Sequence, residues 1–243
     1  MIAQGIMTFL LLTVGKLYAG YGRYSHKTTR FYLNAKIAWM TQEMWSAIIP
    51  AAALLHALQR GQQLSPVQAL LFAMFLMHYT WRSFAYPWMQ RGGKPMPVYI
   101  WLMASAFCMF NGYLQGHGIL QKGAEGSNQR IGMRHALGLS TWAAGWAVNL
   151  HSDHILRNLR QPGESGYRIP RGGAFEWVSG ANYLGEIVEW AGFAAAAGSL
   201  PAAAFAFFTL CNIGPRAWHH HQWYKKQFDD YPRNRRALIP FVL

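Results

Sequence analysis

The sequence predicts an all-α, polytopic membrane protein with seven transmembrane helices, and two observations lead to this fold class. Of the 243 residues, 52% are hydrophobic and only 13% are charged, whereas a soluble domain carries about 25% charged residues. A transmembrane helix needs about 20 mostly apolar residues, and seven stretches of the chain meet that requirement. With approximate ends, these stretches are residues 2–20, 37–59, 66–87, 97–118, 132–152, 175–199 and 201–222.

Short connections between these stretches predict one domain that covers residues 1–243. The first stretch has no clean signal-peptide cleavage site and contains Lys16, which indicates a retained helix. The tetrapeptide Gly198-Ser199-Leu200-Pro201 predicts a short hairpin between the last two spans. Cys108 and Cys211 both lie in apolar runs, so they indicate neither a disulfide framework nor a metal site.

The basic residues predict how the helices cross the membrane. With the amino terminus outside, fifteen Lys and Arg lie on the side of the carboxyl terminus and four on the other side, while Lys16, Arg82 and Arg216 lie within spans. Because basic residues concentrate on the cytoplasmic side, the carboxyl terminus is expected there. This asymmetry accounts for most of the net charge of +13 without nucleic acid. No zinc finger, RNA-binding signature or basic zipper in the sequence supports such a partner.

Ionisable residues inside the predicted spans indicate a binding cavity near the cytoplasmic side. A charged side chain in hydrocarbon costs several kcal/mol unless it has a partner, water or a role. Interhelical hydrogen bonds average only about 0.6 kcal/mol, too little to offset so many buried charges. Helical spacing arranges the polar residues in three stripes, each on one helix face. The stripes are Asn149, Asp153, Arg157 and Arg160; Asn182, Glu186 and Glu189; and Arg216, His220 and Tyr224.

The residue types in these stripes suit a dinucleotide. Guanidinium groups bind phosphate oxygens in a bidentate manner, and carboxylates accept hydrogen bonds from sugar hydroxyls or an amide. Neither a G-x-G-x-x-G pattern after a strand nor a G-x-x-x-x-G-K-[ST] pattern occurs, so a helical bundle and its loops would hold the nucleotide. Periodicity does not distinguish a nicotinamide from another polar ligand. The consecutive histidines at 219–221 point in different directions on a helix, which argues against a metal site.

Longer motifs give a more specific indication, and they extend over nearly the whole chain. The amino-terminal half contains Tyr21-Gly-Arg-Tyr24, Ala38-Trp-Met-Thr-Gln42-Glu43 and His78-Tyr79-Thr-Trp-Arg82. The carboxyl-terminal half contains Asn149-Leu-His-Ser-Asp153-His-Ile-Leu-Arg157-Asn-Leu-Arg160, Tyr167-Arg-Ile-Pro-Arg171-Gly-Gly, Gly180-Ala-Asn182-Tyr-Leu-Gly-Glu186-Ile-Val-Glu189-Trp190, Arg216-Ala-Trp-His-His220-His-Gln-Trp-Tyr224, Phe228-Asp-Asp-Tyr-Pro232 and Arg235-Arg-Ala-Leu-Ile-Pro-Phe241. In order and separation these motifs resemble the steroid 5α-reductase family, more loosely in the amino-terminal half.

The resemblance implies a seven-helix membrane enzyme that uses NADPH to reduce a double bond conjugated to a ketone. Substrates of that family are 3-oxo-Δ4-steroids, such as testosterone and progesterone, and the products are 5α-3-oxosteroids. The implied substrate pocket comes mainly from residues 1–118 and the implied NADPH site mainly from residues 145–243. The implied cofactor-binding residues are Lys94, Asn149, Asp153, Arg157, Arg160, Tyr167, Arg171, Asn182, Glu186, Arg216, His220, Tyr224 and Arg235.

The resemblance also assigns the carbonyl-binding pair of the family to Glu43 and Tyr79. Hydride attack at C5 of an enone places negative charge on the C3 oxygen, which hydrogen bonds from a phenol and a carboxylic acid stabilise. Glu43 can donate only when it is protonated, a form that an apolar pocket favours. Gln42 and Met103 are expected to line the same substrate cavity. The alternative role for Glu43 and Tyr79 is a hydrogen bond between their two helices.

Departures from the family pattern keep other substrates and functions open. Lys94 and Met96 lie where some members have a basic residue and a tyrosine, and Met103 lies where some have an arginine. Another sterol or an isoprenoid enone is therefore an alternative substrate. An isoprenylcysteine-type methyltransferase is a second alternative, although its adenosyl donor offers no phosphate to the arginines. A transporter is a third, although inverted repeats and broken helices are not evident.

The sequence also leads to expectations about partners and location. The expected partners are a steroid or sterol-like lipid and membrane lipid, with no nucleic acid and no required protein partner. The expected location is the bacterial inner membrane or the endoplasmic reticulum, depending on the source, with the cofactor site facing the cytoplasm.

Overall fold

The computed structural model of the chain describes residues 1–15, 29–122, 130–160 and 166–243. This part of the chain is mostly helical, which confirms the all-α class. The motif Tyr21-Gly-Arg-Tyr24 and the end of the first predicted span lie outside the described residues. The helices are α1 Ile2–Thr13, α2 Ala35–Gln59, α3 Pro66–Thr80, α4 Tyr86–Met89, α5 Val98–Gln121, α6 Met133–Arg157, α7 Ala181–Ala197 and α8 Leu200–Gln227.

Each of the seven predicted spans contains one helix of 12 to 28 residues, with some differences at the ends. The third span contains α3 and a π-helical turn, Trp81–Ala85, that leads into the short α4. The sixth begins with a 3-10 turn, Gly173–Glu176, so α7 starts later than predicted. The predicted hairpin between α7 and α8 is confirmed, with Gly198 at a φ of +52°. Among the described residues, no helix combines the length and the apolar character required to cross a membrane.

Local signals explain where the long helices of the amino-terminal half begin. The Asn34 side chain caps α2 by accepting hydrogen bonds from the backbone N–H groups of residues 36 and 37. Ser65 and Gln68 form a reciprocal capping box at the start of α3, with Pro66 at the first helical position. Ahead of α5, the two-residue strands β1, Tyr32–Leu33, and β2, Met96–Pro97, pair antiparallel.

The chain divides into two compact units. The first unit comprises Met1–Tyr18, Ser140–Gly192 and Ala204–Leu243, and the second comprises Ala19–Leu139 and Phe193–Ala203. Consequently, each unit combines segments that are far apart in the sequence. Glu43 and Tyr79 belong to the second unit, whereas every predicted cofactor-binding residue except Lys94 belongs to the first.

Small residues allow close helix packing in both units. In the second unit, Gly112 and Gly116 of α5 face α2, and a Cβ at Gly116 would lie 2.9 Å from Pro50 Cα. In the first unit, a Cβ at Gly185 of α7 would lie 2.5 Å from the Asn149 backbone nitrogen of α6. A Cβ at Gly145 would overlap the backbone of Glu189. Glycine at these positions brings the helix backbones into direct contact.

The second unit buries polar groups and exposes apolar ones along α5. Ser105, Asn111 and Gln115 are buried, whereas Met103 is 70% exposed and Phe110 is 47% exposed. An amphipathic helix of a water-soluble protein has the opposite arrangement, with its apolar face toward the core. The burial pattern of α5 is therefore inverted relative to that of a soluble bundle.

The first unit includes the carboxyl-terminal tail, which pairs with the segment before α7. A parallel bridge joins Val178 and Arg236. The backbone N–H of Ser179 donates to the Arg236 carbonyl at 2.8 Å, and the backbone N–H of Arg236 donates to the Trp177 carbonyl at 2.8 Å. These hydrogen bonds fix the tail next to a small core formed by Phe175, Val178 and Ala181.

Candidate active site

The predicted carbonyl-binding residues lie on two helices of the second unit. Glu43 lies on α2 next to the buried Gln42, and Tyr79 lies in the last turn of α3, directly before the π-helical turn. The Tyr79 side chain is 6% exposed. Its ring packs against Phe75, with ring centroids 4.8 Å apart, and against the edge of His78 at 5.0 Å. These contacts hold the phenol in a defined position inside the unit.

Glu43 has a cationic neighbour that the sequence did not lead us to expect. Arg82 Nε lies 3.6 Å from Glu43 Oε2, and both side chains are largely buried. The Arg82 guanidinium lies over the rings of Trp39, at 5.3 Å, and Tyr86, at 4.6 Å. This corrects the expectation of a wholly apolar pocket around Glu43, because an ion pair stabilises the carboxylate. Arg82 belongs to the π-helical turn, a feature that is frequent at functional sites.

Two buried carboxamides of α5 connect to Tyr79, and sequence reasoning missed both. Asn111 Nδ2 donates to Tyr79 Oη at 3.3 Å. Gln115 Nε2 donates to Asn111 Oδ1 at 3.1 Å and to the backbone carbonyl of Pro201 at 3.0 Å. Their spacing of four residues on one apolar helix was the available signal. Such amides within a span are ordinarily interpreted as contacts between helices.

In the first unit, the predicted stripes of α6 and α7 face each other where the helix backbones are closest. Asn149 is buried, and its side-chain Nδ2 donates to the backbone carbonyl of Asn182 at 2.9 Å. Asp153, one turn further along α6, is 2% exposed. The Gly185 contact with the Asn149 backbone brings these two stripes together. Arg157 and Glu186 continue the same stripes and are half-buried.

The end of α8 and the tail supply Tyr224 and Arg235. The Tyr224 ring stacks on Tyr231, with centroids 5.5 Å apart and planes inclined by 7°. The Arg235 guanidinium lies 5.3 Å from the centroid of Tyr231, and its Nη1 donates to the Pro170 carbonyl at 3.0 Å. Arg235 is 2% exposed, yet its Nε and Nη2 have no hydrogen-bond partner among the described residues. A buried cation with two orphaned donors indicates a site for an anion.

A hydrogen-bonded cluster of Ser179, His221 and Tyr231 supports this arginine. The Ser179 hydroxyl donates to the Arg236 carbonyl at 3.1 Å. Its oxygen lies 2.7 Å from His221 Nδ1 and 2.6 Å from Tyr231 Oη. Burial raises the pKa of the Tyr231 phenol, and the Ser179 hydrogen bond and the charge of Arg235 offset part of that increase.

Sequence reasoning missed this cluster as well. His221 is one of three consecutive histidines, a pattern that argues against a metal site and gives no other signal. Ser179 and Tyr231 belong to no helical stripe in the sequence. Only the pairing of the tail with residues 177–180 brings the three side chains together.

The remaining predicted residues lie closer to the surface. Arg160 Nη1 donates to the Gly166 carbonyl at 3.2 Å, and Tyr167 packs against the edge of Trp223, with centroids 4.8 Å apart. His220 contacts the ring of Tyr183 at 5.5 Å. Arg216 and His220 are half-buried, and Arg171 is exposed. In the second unit, Lys94 and Met103 are exposed. Exposure does not test whether they contact a ligand, and these two contacts stay predictions.

Comparisons with known proteins identify the chain as an oxidoreductase. The family model described as 3-oxo-5-alpha-steroid 4-dehydrogenase matches residues 94–243. The Bos taurus protein named 3-oxo-5-alpha-steroid 4-dehydrogenase 1 is 44% identical over 242 residues, which cover 99% of this chain and 93% of the relative. The Homo sapiens protein of the same name is 45% identical over 223 residues, which cover 91% of this chain and 85% of the relative.

A second human relative gives the same result. The Homo sapiens protein named 3-oxo-5-alpha-steroid 4-dehydrogenase 2 is 44% identical over 247 residues, which cover 99% of this chain and 96% of the relative. The chain therefore belongs to the 3-oxo-5-alpha-steroid 4-dehydrogenase family. This membership confirms the resemblance described above and decides against the methyltransferase and transporter alternatives.

Proposed function

We propose that the protein reduces the Δ4 double bond of 3-oxo-Δ4-steroids, with NADPH as the reductant. Family membership supports the reaction class. The observation that carries the cofactor proposal is the buried Arg235 guanidinium, which has two orphaned donors in the first unit. The same unit contains twelve of the thirteen residues predicted to bind the cofactor, all except Lys94.

The chemistry of these residues fits a phosphorylated dinucleotide. Arg157, Arg160, Arg216 and Arg235 supply guanidinium groups, which bind phosphates through parallel hydrogen bonds. Asp153 and Glu186 are suited to accept from sugar hydroxyls, and Asn182 can bind an amide. When bound, NADPH supplies a hydride to C5 of the steroid. The residues of this unit contribute by binding and orienting the cofactor and by excluding water.

Tyr79 provides the main stabilisation of the charge that develops on the steroid. Addition of a hydride at C5 moves an electron pair onto the C3 oxygen, and a hydrogen bond from the Tyr79 phenol stabilises the enolate as it forms. The phenol donates without a change in its ionisation. The enolate then takes a proton at C4, which completes the reduction.

Glu43 acts together with Arg82 in this proposal. A glutamate donates a hydrogen bond only when protonated, whereas Arg82 at 3.6 Å stabilises the carboxylate. We therefore assign the larger share of carbonyl activation to Tyr79. Glu43 and its neighbour Gln42 complete the polar end of the steroid pocket.

We also propose that the seven predicted spans cross a membrane, with the amino terminus outside and the carboxyl terminus in the cytoplasm. The inverted burial of α5 supports this, because apolar residues such as Leu102 and Phe110 can face lipid while Asn111 and Gln115 face the interior. We expect the protein to stay with membranes during an alkaline carbonate wash and to leave them in detergent. Release by carbonate alone would contradict the membrane proposal.

The activity is tested with purified protein in detergent or lipid nanodiscs. NADPH oxidation is followed after addition of testosterone or progesterone, and the steroid product is identified by mass spectrometry. We expect oxidation that depends on steroid and a 5α-reduced product. An isoprenoid enone as the better substrate would correct the substrate class. An absence of both steroid-dependent oxidation and NADPH binding would refute the proposed function.

A further inference from the structure

We propose that Asn111 and Gln115 are positioning residues for carbonyl activation, and that they direct the proton of the Tyr79 phenol toward the ketone of the substrate. The inference rests on the proposed function, in which Tyr79 donates to the C3 oxygen. It adds a second layer of residues to that site, on a helix other than those that carry Glu43 and Tyr79.

The observation is a relay of hydrogen bonds that runs through the interior of the second unit. It starts at the Pro201 carbonyl in the first turn of α8, passes through Gln115 and Asn111 on α5, and ends at the Tyr79 oxygen on α3. The three distances are 3.0 Å, 3.1 Å and 3.3 Å in that order. Asn111 and Gln115 are 0% and 2% exposed, so water does not compete for these hydrogen bonds.

The backbone carbonyl at Pro201 sets the direction of the whole relay. A carbonyl oxygen only accepts, so the Gln115 amide must present its NH2 group to Pro201. The same NH2 group meets Asn111, which must therefore present its amide oxygen to Gln115. The Asn111 NH2 group then points to Tyr79, and the phenol oxygen accepts from it. The orientation of both carboxamides follows from donor and acceptor requirements alone.

This direction has a consequence for the phenol. A phenol that accepts through a lone pair keeps its proton outside that hydrogen bond, and the proton is the group it can present to a ketone. A hydroxyl that accepts one hydrogen bond also donates more strongly, because hydrogen bonds in a chain polarise one another. The relay thus favours the donor role of Tyr79 that enolate stabilisation requires.

The helix packing keeps the relay in register. Asn111 and Gln115 are four residues apart and so lie on one face of α5. Gly112 and Gly116 follow them directly, and a Cβ at Gly112 would lie 2.8 Å from the Trp45 carbonyl of α2. Close packing on these glycines restricts rotation of α5, which would otherwise move both amides away from Tyr79.

A double-mutant cycle separates a positioning role from a merely structural one. Asn111→Leu is combined with Tyr79→Phe, and kcat, KM and NADPH affinity are measured in the full-length protein. In the wild-type background we expect Asn111→Leu to lower kcat about three- to tenfold, the effect of one net hydrogen bond, with little change in NADPH affinity. In the Tyr79→Phe background the same substitution should cost almost nothing, because the hydroxyl through which it acts is gone.

Gln68→Met serves as the matched control. Gln68 is a buried carboxamide that donates to the carbonyls of Ile119 and Leu120 and does not join the relay. We expect it to lower thermal stability without a change in kcat. If Asn111→Leu does not fold, Gln115→Met takes its place, with a smaller loss of kcat that also disappears in the Tyr79→Phe background.

The outcomes distinguish this inference from the function on which it rests. Wild-type turnover in Tyr79→Phe would remove the carbonyl role and the relay together. A slow Tyr79→Phe enzyme in which Asn111→Leu and Gln115→Met cost as much as in the wild type would overturn the relay alone. An equal loss of kcat in Gln68→Met would also overturn it, because any buried amide would then have the same effect.

Discussion

At the scale of single residues, the proposed chemistry depends on how the protein positions two buried polar side chains, Arg235 and Tyr79. Arg235 donates to Pro170 through Nη1, while Nε and Nη2 have no partner among the described residues. Tyr79 is buried on α3 and accepts from Asn111. The protein thus holds the Arg235 guanidinium in place without using all of its hydrogen-bonding capacity, as a binding group requires.

Tyr79→Phe should lower kcat by roughly 100-fold, the usual effect of removing one oxyanion-stabilising donor. NADPH affinity should stay near the wild-type value, because Tyr79 is not among the predicted cofactor-binding residues. Glu43→Gln should lower kcat less, since an amide can still donate to the ketone. Steady-state kinetics and equilibrium NADPH titration measure these effects. Wild-type kcat in both variants would contradict the carbonyl role.

Arg235→Met should weaken NADPH binding about 10- to 100-fold, because it removes hydrogen bonds between a guanidinium and a phosphate. The stability of the protein without cofactor should change little, since replacing an incompletely paired buried charge with an apolar side chain is often neutral. Arg236→Met is the control, because Arg236 is exposed and uses its backbone in the tail pairing. Equal NADPH affinities of the two variants, measured by fluorescence titration, would refute the role of Arg235.

At the scale of helices, glycine determines which elements can approach each other. Gly185 of α7 lies against the backbone of Asn149, so the α6 and α7 stripes depend on the absence of a side chain there. Gly214 of α8 is in a different situation, because a Cβ there would meet its nearest neighbour at 3.8 Å. The two positions allow the packing role of glycine to be separated from its effect on helix propensity.

Gly185→Ala should destabilise the protein by about 1–3 kcal/mol, the cost of forcing an extra carbon into a packed interface. It should also weaken NADPH binding, because Asn149 and Asn182 move apart with their helices. Gly214→Ala should cost less, because its Cβ meets no atom closer than 3.8 Å, while the following Pro215 offsets the gain in helix propensity from alanine. Thermal unfolding with and without NADPH compares them. A Gly185→Ala protein as stable as Gly214→Ala would contradict the packing described here.

The stability of the folded protein should decrease at alkaline pH because of Tyr231, which packs between α8 and the tail. Burial raises the pKa of this phenol in the folded protein, so above about pH 10 the unfolded chain ionises first and stability is lost. Tyr231→Phe should be less stable than wild type at pH 8, because it loses the hydrogen bond to Ser179. The difference in Tm should shrink as the pH rises past 10. A constant difference in Tm would refute this linkage.

At the scale of the whole molecule, two compact units combine segments from distant parts of the chain. The second unit exposes apolar residues on α5, which we assign to lipid contact. Phe110→Lys would place a charge on that surface at a cost of about 2.5–3.5 kcal/mol near the middle of a bilayer. We expect less protein in the membrane fraction. Thr141→Lys, at an exposed position of α6 near a predicted span centre, should have a similar effect, and normal membrane levels of both variants would contradict the topology.

Apolar stretches of about 20 residues were sufficient to predict the helices, and helical periodicity was sufficient to predict the polar stripes. Asn149 and Asp153 on α6, and Asn182 and Glu186 on α7, could be assigned because steps of four residues place each pair on one face of its own helix. The start of α7 could not, since Phe175, Trp177 and Val178 extend the apolar run although residues 175–180 form a turn and a paired segment. The ion pair of Glu43 and Arg82 was also missed, because a pair across two helices leaves no local pattern.

The first unit contains segments from both ends of the chain, which affects the order in which its contacts can form during synthesis. Gly5 of α1 lies against α8, because a Cβ added at Gly5 would lie 3.3 Å from the Cα of Phe208. Near the other end of the chain, the backbone of Arg236 pairs with that of Trp177. The ribosome therefore synthesises α1 long before Phe208, and the backbone pairing of Arg236 forms only when the chain is almost finished. Contacts between such distant segments slow folding, so these two contacts of the first unit must wait for most of translation.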